Sequence, residues 1–414
     1  MKVYFKTFGC RTNIYDTELL KSYVKNYEIT NDEGVADIIV VNSCTVTNGA
    51  DSGVRNYINS MRNSGKKVIL TGCGAVSKGD ELFKSSAIFG VLGASNKSKI
   101  DEMLGKSEPF YELGDLNFID KNIVSNYENH TKAFIKIQEG CDFACSYCII
   151  PSVRGFSRSI DEDIILKEAK TLASNGYSEI VLTGTNIGSY GKGIGTSLGR
   201  LVAHLGKING IKRIRLGSIE PSQIDESFRE ILHEPWLEKH LHIALQHTSQ
   251  QMLTIMNRRN RALRDLDLFC ELSSMGFALG TDFIVGHPGE TPQIWNEAIE
   301  NFNKFPLTHI HAFIFSPRNG TKSATMPMDV DSQIAKERLK TLQNIVAQNN
   351  LKFRQNNADR PIDVLVEKQS NGDIYEGWDQ YYNKIKIKSS KNIAKEWVHI
   401  TDYEIMQESN YAQI

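Results

Sequence analysis

No run of eighteen apolar residues occurs in the chain, which excludes a conventional transmembrane helix. Nor is a signal peptide expected, because residues 1–6 lead straight into a β-rich run with no basic leader and no apolar segment. An excess of charge of one sign is also missing. Forty-eight basic residues meet forty-nine acidic ones, a net charge of −1, so attraction to a nucleic acid has to come from local patches. There is no internal repeat, no low-complexity tract, and no Ser/His/Asp or Cys/His set of the kind that activates a side-chain nucleophile. Cysteine is scarce: seven in 414 residues, an odd number spread through a chain expected in the reducing cytoplasm, which favours metal ligation over disulfides. The length calls for two or three domains, each with an ample core.

Six of those cysteines form two trios. Cys141, Cys145 and Cys148 are spaced Cys-x-x-x-Cys-x-x-Cys in one loop after the strand-like run 133–138. Three thiolates hold three irons of a 4Fe-4S cluster and leave the fourth open to a ligand. Tetrahedral zinc would want a fourth Cys or His at similar range, and none lies nearby. Zinc and plain buried cysteines remain the alternatives. The second trio is dispersed: Cys10, Cys44 and Cys73 each follow a short β-rich run, at 2–6, 37–41 and 67–70, with helix-like stretches at 17–25 and 52–63 between them. That alternation reads as βαβ units, whose ligands gather at the carboxyl ends of parallel strands. Cys270, inside a helical run at 265–274, is expected in the core.

The first loop, Glu139-Gly-Cys141-Asp-Phe-Ala-Cys145-Ser-Tyr-Cys148, resembles the cluster loop of radical S-adenosylmethionine enzymes. The segments Thr7-Phe-Gly-Cys10-Arg-Thr-Asn13, Asn42-Ser-Cys44-Thr-Val46 and Thr71-Gly-Cys73 resemble the amino-terminal domain of the methylthiotransferase branch. The resemblance implies two 4Fe-4S clusters, a radical one on Cys141, Cys145 and Cys148 and an auxiliary one on Cys10, Cys44 and Cys73. It also implies S-adenosylmethionine, cleaved to a 5′-deoxyadenosyl radical, with sulfur tied to the second cluster. No catalytic side chain beyond the cluster ligands is implied. Cofactor contacts are expected at Tyr147, at Thr183 and Gly184 in the glycine-rich loop 183–191, at Gly286 in Asp282-Phe-Ile-Val-Gly286-His-Pro-Gly289, and at Glu220, which could instead cap the next helix. Arg158 is the favoured arginine on a rim that also carries Arg154, Arg258 and Arg259.

After the loop, strand-like runs at 133–138, 179–183, 213–218, 242–246, 281–286 and 309–315 alternate with helical runs at 161–175, 198–208, 223–232, 250–256, 262–275 and 291–302. Six βα units suggest a partial barrel with its chemistry on the loops after the strands. A polar helix at 331–353 follows, then short alternating strands at 362–367, 373–387 and 396–401 that resemble the small TRAM β-barrel of RNA-modifying enzymes. Trp378 and Tyr382 as base-stacking residues, with Tyr381 beside them, and Lys384 and Lys386 as backbone contacts, are its candidate RNA ligands. A basic edge that discourages strand pairing is the other reading of those lysines.

The expectation is an α/β chain of three parts: an amino-terminal parallel-sheet, Rossmann-like domain at 1–113, a central partial (βα)6 TIM-type radical barrel at 127–355, and a TRAM-like β-barrel at 356–414, with a linker at 114–131. Residues 141–151, 183–191 and 318–327 look most like the methylthiotransferases that act on N6-threonylcarbamoyladenosine at tRNA position 37, in the anticodon loop. The isopentenyladenosine and ribosomal-protein aspartate enzymes are the alternatives within the branch. A nonenzymatic iron–sulfur or zinc RNA-binding protein is the alternative outside it. An electron donor such as flavodoxin or ferredoxin is the expected protein partner.

Overall fold

The computed structural model describes residues 1–45, 48–128 and 130–414; Val46 of the second cysteine segment and Asn129 of the expected linker lie outside them. Ile38–Ser43 (IIVVNS) is apolar along most of its length, the pattern of a parallel strand covered on both faces. Six parallel strands stand in the order Glu28–Ile29, Lys2–Thr7, Ile38–Ser43, Lys67–Gly72, Gly90–Leu92, Phe110–Glu112. Ile39, Val41, Val68 and Leu70 are buried in one apolar cluster of this unit; Val3, Ile38, Val40 and Ile69 are buried in another. Thr7 pairs with Asn42 and Ser43 with Gly72, so three strands end level and place the turns bearing Cys10, Cys44 and Cys73 side by side.

The first two helices, Arg11–Tyr23 and Asn48–Asn63, start earlier than their periodicity suggests. Cys10 is the N-cap of the first and makes no side-chain capping bond, so the usual Ser, Thr or Asp start signal is absent.

In the second unit, strands Ala133–Glu139, Glu179–Gly184, Arg213–Leu216, His240–His242, Ala278–Val285 and Leu307–Ile314 are parallel and adjacent in chain order. Single parallel bridges, Ile214 to Leu237 and Ile219 to Ile243, carry the sheet from the third strand to the fourth. Among the described residues the sixth strand does not pair with the first, so this is the expected partial (βα)6 barrel. Helix Arg11–Tyr23 packs on its first strand. The regular ladder of the fourth strand is 240–242 rather than 242–246: the Leu245 amide turns back to the Ile243 carbonyl at 3.0 Å, and the chain rejoins the fifth strand only through a single bridge from Gln246, at a left-handed φ of 65°, to Phe283. The helical run 223–232 shortens to a 3₁₀ turn at Pro221–Gln223 and a single α-turn at Glu226–Arg229. Cys270 is exposed, not in the core. Phe269 and Leu272 carry the buried face of helix Ala262–Ser274, and one step of about 100° takes residue 270 off it.

Helix Ser332–Asn356 follows, burying Leu342 and Val346 in the barrel's core. The last unit is a curled six-stranded sheet in the order Trp397–Ile400, Ile362–Asn371, Ile374–Trp378, Lys384–Lys388, Asn410–Gln413, Glu404–Ile405. It is antiparallel except where Lys384–Lys388 meets Asn410–Gln413. Among the described residues its end strands do not pair with each other, so the expected small barrel is a half-barrel. No helix among the described residues is long and apolar enough to cross a membrane.

Candidate functional site

A cavity of about 360 Å³ opens at the carboxyl ends of the barrel strands. Cys141, Cys145 and Cys148 converge on it, with Tyr147, Thr185, Asn186, Glu220, Arg258, Asp282 and Arg318 among its polar walls and Ile284, Phe313 and Phe315 among its apolar ones. Donors point at the sulfurs. The Phe143 amide lies 3.4 Å and Asn186 Nδ2 3.6 Å from Cys141 Sγ; Arg258 Nη1 is 3.7 Å from Cys145 Sγ. Burial pushes the Cys148 thiol up to about 12 and raises Cys141 as well. Thiolates at this depth require cationic compensation, which a bound metal cluster supplies.

Glu220 takes the capping role and pairs with an arginine besides. It is the N-cap of Pro221–Gln223 in a reciprocal capping box, and its carboxylate grips the Arg258 guanidinium through two contacts, one of 2.7 Å. Arg258 also donates to the Ala244 carbonyl at 2.6 Å, which leaves its buried Nε without a hydrogen-bond partner among the described residues. That leftover donor, the two carboxylates Glu220 and Asp282, and the thiol trio make a donor set that fits a cluster with a zwitterionic small molecule beside it.

Of the residues expected at the cofactor, Tyr147 and Glu220 line the cavity. Thr183 and Gly184 stop short of it. The Thr183 hydroxyl meets that of Thr12 at 3.0 Å and the Gly184 carbonyl lies 3.4 Å from the same hydroxyl, while Thr185 and Asn186 of their loop reach the wall. Gly286 also lies behind the wall, donating to Glu290 at 2.6 Å. Arg158 is turned away. It begins a short antiparallel strand on Glu139, and its guanidinium donates to the carbonyls of Phe118, Arg154 and Phe156 at 3.1, 2.8 and 2.9 Å. Arg258 holds the place at the cavity.

The second trio sits where the amino-terminal sheet faces the barrel. Gly9 has a φ of 107°, and a Cβ there would stand 2.4 Å from Cys44 Cβ and 3.1 Å from its Sγ, so only glycine lets the Cys10 turn lie against Cys44. Cys73 opens helix Cys73–Lys84, and Arg154 Nε donates to its sulfur at 3.1 Å. Arg154 is buried, bonded also to Asp16 (2.7 Å), Glu139 (2.5 Å) and Asn13 (2.8 Å). Lys97 and Lys136 reach Asp16 at 3.2 and 2.8 Å. These buried groups comprise three cations and two carboxylates, leaving one positive charge beside Cys73. Although burial opposes it, the surrounding cations hold the Asp16 carboxyl well below the usual range. Sequence placed Arg154 only on a solvent rim, because nothing in the order of residues shows that Asp16 and Glu139 meet it.

The carboxyl-terminal half-barrel docks against the amino ends of the barrel strands. Tyr382 stacks on His240 at 5.2 Å and on Trp378 at 4.7 Å, and its hydroxyl accepts from Arg11 at 2.9 Å. Tyr382 and Trp378 are half-buried and stack on each other, while Tyr381 is buried in the half-barrel core. Lys384 pairs with Glu376 at 2.8 Å, and Lys386 is exposed.

Together the partial barrel and its three-cysteine mouth define the radical S-adenosylmethionine class. Residues 135–302 match the family model described as the Radical SAM superfamily, and residues 2–93 match the Uncharacterized protein family UPF0004. A Helicobacter pylori protein provisionally named a methylthiotransferase is 48% identical over 415 residues, covering 99% of each chain. The threonylcarbamoyladenosine tRNA methylthiotransferase MtaB of Aquifex aeolicus is 34% identical over 382 residues, 88% of this chain and 93% of that one. The tRNA-2-methylthio-N(6)-dimethylallyladenosine synthase of Fervidobacterium nodosum is 29% identical over 391 residues, 92% and 91% of the two chains. The solved structure of the radical S-adenosylmethionine methyltransferase TsrM from Kitasatospora setae shares the fold, with a TM-score of 0.60 over 78% of this chain and 77% of that one at 14% identity. The chain belongs to the radical S-adenosylmethionine methylthiotransferase family. It is an enzyme whose cofactors are S-adenosylmethionine and iron–sulfur clusters.

Proposed function

We propose that the protein is a tRNA methylthiotransferase that converts N6-threonylcarbamoyladenosine at position 37 to its 2-methylthio derivative. The observation that carries this reading is the pairing of two cysteine trios on facing units, with Arg154 reaching from the Cys141 loop side to Cys73. In this reading Cys141, Cys145 and Cys148 hold one 4Fe-4S cluster and Cys10, Cys44 and Cys73 the other. When bound, these groups and S-adenosylmethionine supply the radical, sulfur and methyl chemistry. The chain's own residues position and insulate. Asn186 and Arg258 donate to the sulfurs of the first trio, the Glu220–Arg258 pair fixes the cavity wall, Tyr147 closes it, and Ile284, Phe313 and Phe315 exclude water. The net positive charge around Arg154 favours an anionic ligand set at the second trio. Thr183, Gly184 and Gly286 shape the loops behind the wall.

The substrate assignment draws support from the named activity of the Aquifex relative and from Arg318. Its guanidinium stands at the cavity wall, bonded to Asp51 and Ser316 at 2.6 Å each; a threonylcarbamoyl carboxylate entering there would share that cation with Asp51. The apolar wall of Ile284, Phe313 and Phe315 favours the dimethylallyl alternative instead. Arg259, Arg261 and Arg264 line a neighbouring cleft together with Asp265, Asp267 and Glu271, and these arginines are the candidates there for phosphate contacts, with exposed Lys386 a separate candidate on the half-barrel. An anticodon loop presents its base unpaired, so no duplex has to open. We place the domain divisions at 1–113, 127–355 and 356–414, and the enzyme in the cytoplasm with a flavodoxin or ferredoxin as its reductant.

The test is mass spectrometry of tRNA nucleosides from a host lacking the activity, with and without this gene. New 2-methylthio-N6-threonylcarbamoyladenosine is expected. A methylthio gain on the isopentenyl nucleoside alone supports the alternative, and no change in either with both clusters loaded points to a ribosomal-protein substrate.

A further inference from the structure

Between the cofactor cavity and the docked Tyr382, histidines line the barrel. His240 and His242 lie on the fourth strand, His309 and His311 on the sixth, with Asp282 on the fifth between them. His242 Nε2 is 3.1 Å and His311 Nδ1 3.6 Å from the same Asp282 oxygen, and one ligand atom from each of the three lies within 4.8 Å of the others. We propose that His242, Asp282 and His311 form a further metal site, for a divalent transition cation such as Zn²⁺ or Fe²⁺, separate from the six cysteines.

Four observations carry the assignment. A cation about 2.0–2.2 Å from each nitrogen and oxygen places neighbouring ligand atoms about 3.0–3.6 Å apart, which is the spacing of both nitrogens from the carboxylate. Despite that closeness, His242 Nε2 has no hydrogen-bond partner among the described residues. A buried nitrogen near a carboxylate but not aligned with it suits two ligands converging on a third point. The His242 and His311 rings stack at 4.7 Å with 29° between planes, so both present an edge to Asp282. Finally, the His242 ring is seated on bare backbone: a Cβ at Gly280 would stand 2.8 Å from His242 Nδ1, behind the ligand nitrogen, and 2.9 Å from His240 Nε2.

The surroundings complete the site. Ser218 Oγ donates to the other Asp282 oxygen at 3.3 Å, steadying the carboxylate. Two imidazoles and one carboxylate leave coordination positions for water or a substrate oxygen. Asp282 lines the cofactor cavity and the His311 side chain is 64% exposed, so the site opens both to the reaction chamber and to solvent.

The test is Co²⁺ binding to the full chain reconstituted anaerobically with its clusters, read by visible ligand-field absorption and elemental analysis after desalting. One cobalt per chain is expected beyond the cluster iron. His311→Ala, a change on an exposed edge strand, should weaken binding by about 100-fold or more with iron content unchanged. Gly280→Ala should do the same by pushing the His242 ring out of position. Equal cobalt retention by wild type and His311→Ala, or no retention by wild type at millimolar cobalt, overturns the site. Neither readout depends on which nucleoside the enzyme modifies.

Discussion

Glu168 shows how a single buried carboxyl ties stability to pH. It accepts from the Val124 amide at 2.8 Å, and burial pushes it up to about 8 from an ordinary 4.5. The folded state therefore keeps a proton that the unfolded chain releases. Stability from this group is complete below about pH 4.5 and is lost as pH rises towards 8. Between pH 6 and 8 the loss is on the order of 2 kcal/mol. Thermal midpoints at the two pH values should separate for the wild type and come together in Glu168→Gln; equal separation in both contradicts the assignment. This residue illustrates what sequence hides. The cysteines of both trios were legible because their spacing and placement after strands are local facts. The partners that matter to Arg154, Arg158 and Glu168 lie in other elements, so Arg158 was favoured and Arg258, which reaches the cavity, was left as one rim arginine among several.

At the scale of elements, strand register decides which turns meet. Most strands and helices of the barrel were legible from alternation and periodicity; the bounds of the fourth strand were not, because the backbone turn from Leu245 to Ile243 interrupts a run that still reads as apolar. The turn at Gly9 is the tightest constraint on the second trio. Gly9→Ala puts a Cβ at a φ of 107° against Cys44 and should displace that cysteine. Reconstituted variant is expected to fall from about eight irons per chain to about four, with cleavage of S-adenosylmethionine retained. Full iron loading in Gly9→Ala would show that the trio does not share one metal site.

At the scale of the whole molecule, the other two units meet the barrel at opposite ends. The amino-terminal sheet brings its cysteine edge to the open side of the barrel, and the half-barrel seals the other end through Tyr382, which Arg11, next to Cys10, bonds at 2.9 Å. The order of the units was legible from composition; their docking was not, since a Tyr at a left-handed φ of 62° gives no sequence sign of pointing inward. The central claim is a division of labour, with cofactor cleavage at the Cys141 trio and sulfur delivery at the Cys10 trio. Its most direct measurement is a single-turnover assay with purified, reconstituted protein, unmodified-precursor tRNA, S-adenosylmethionine and a reductant, scored for 5′-deoxyadenosine and methylthio nucleoside together. The account predicts both products from wild type, neither from Cys145→Ala, and 5′-deoxyadenosine without methylthio nucleoside from Cys44→Ala; methylthio nucleoside formed by Cys44→Ala would contradict it.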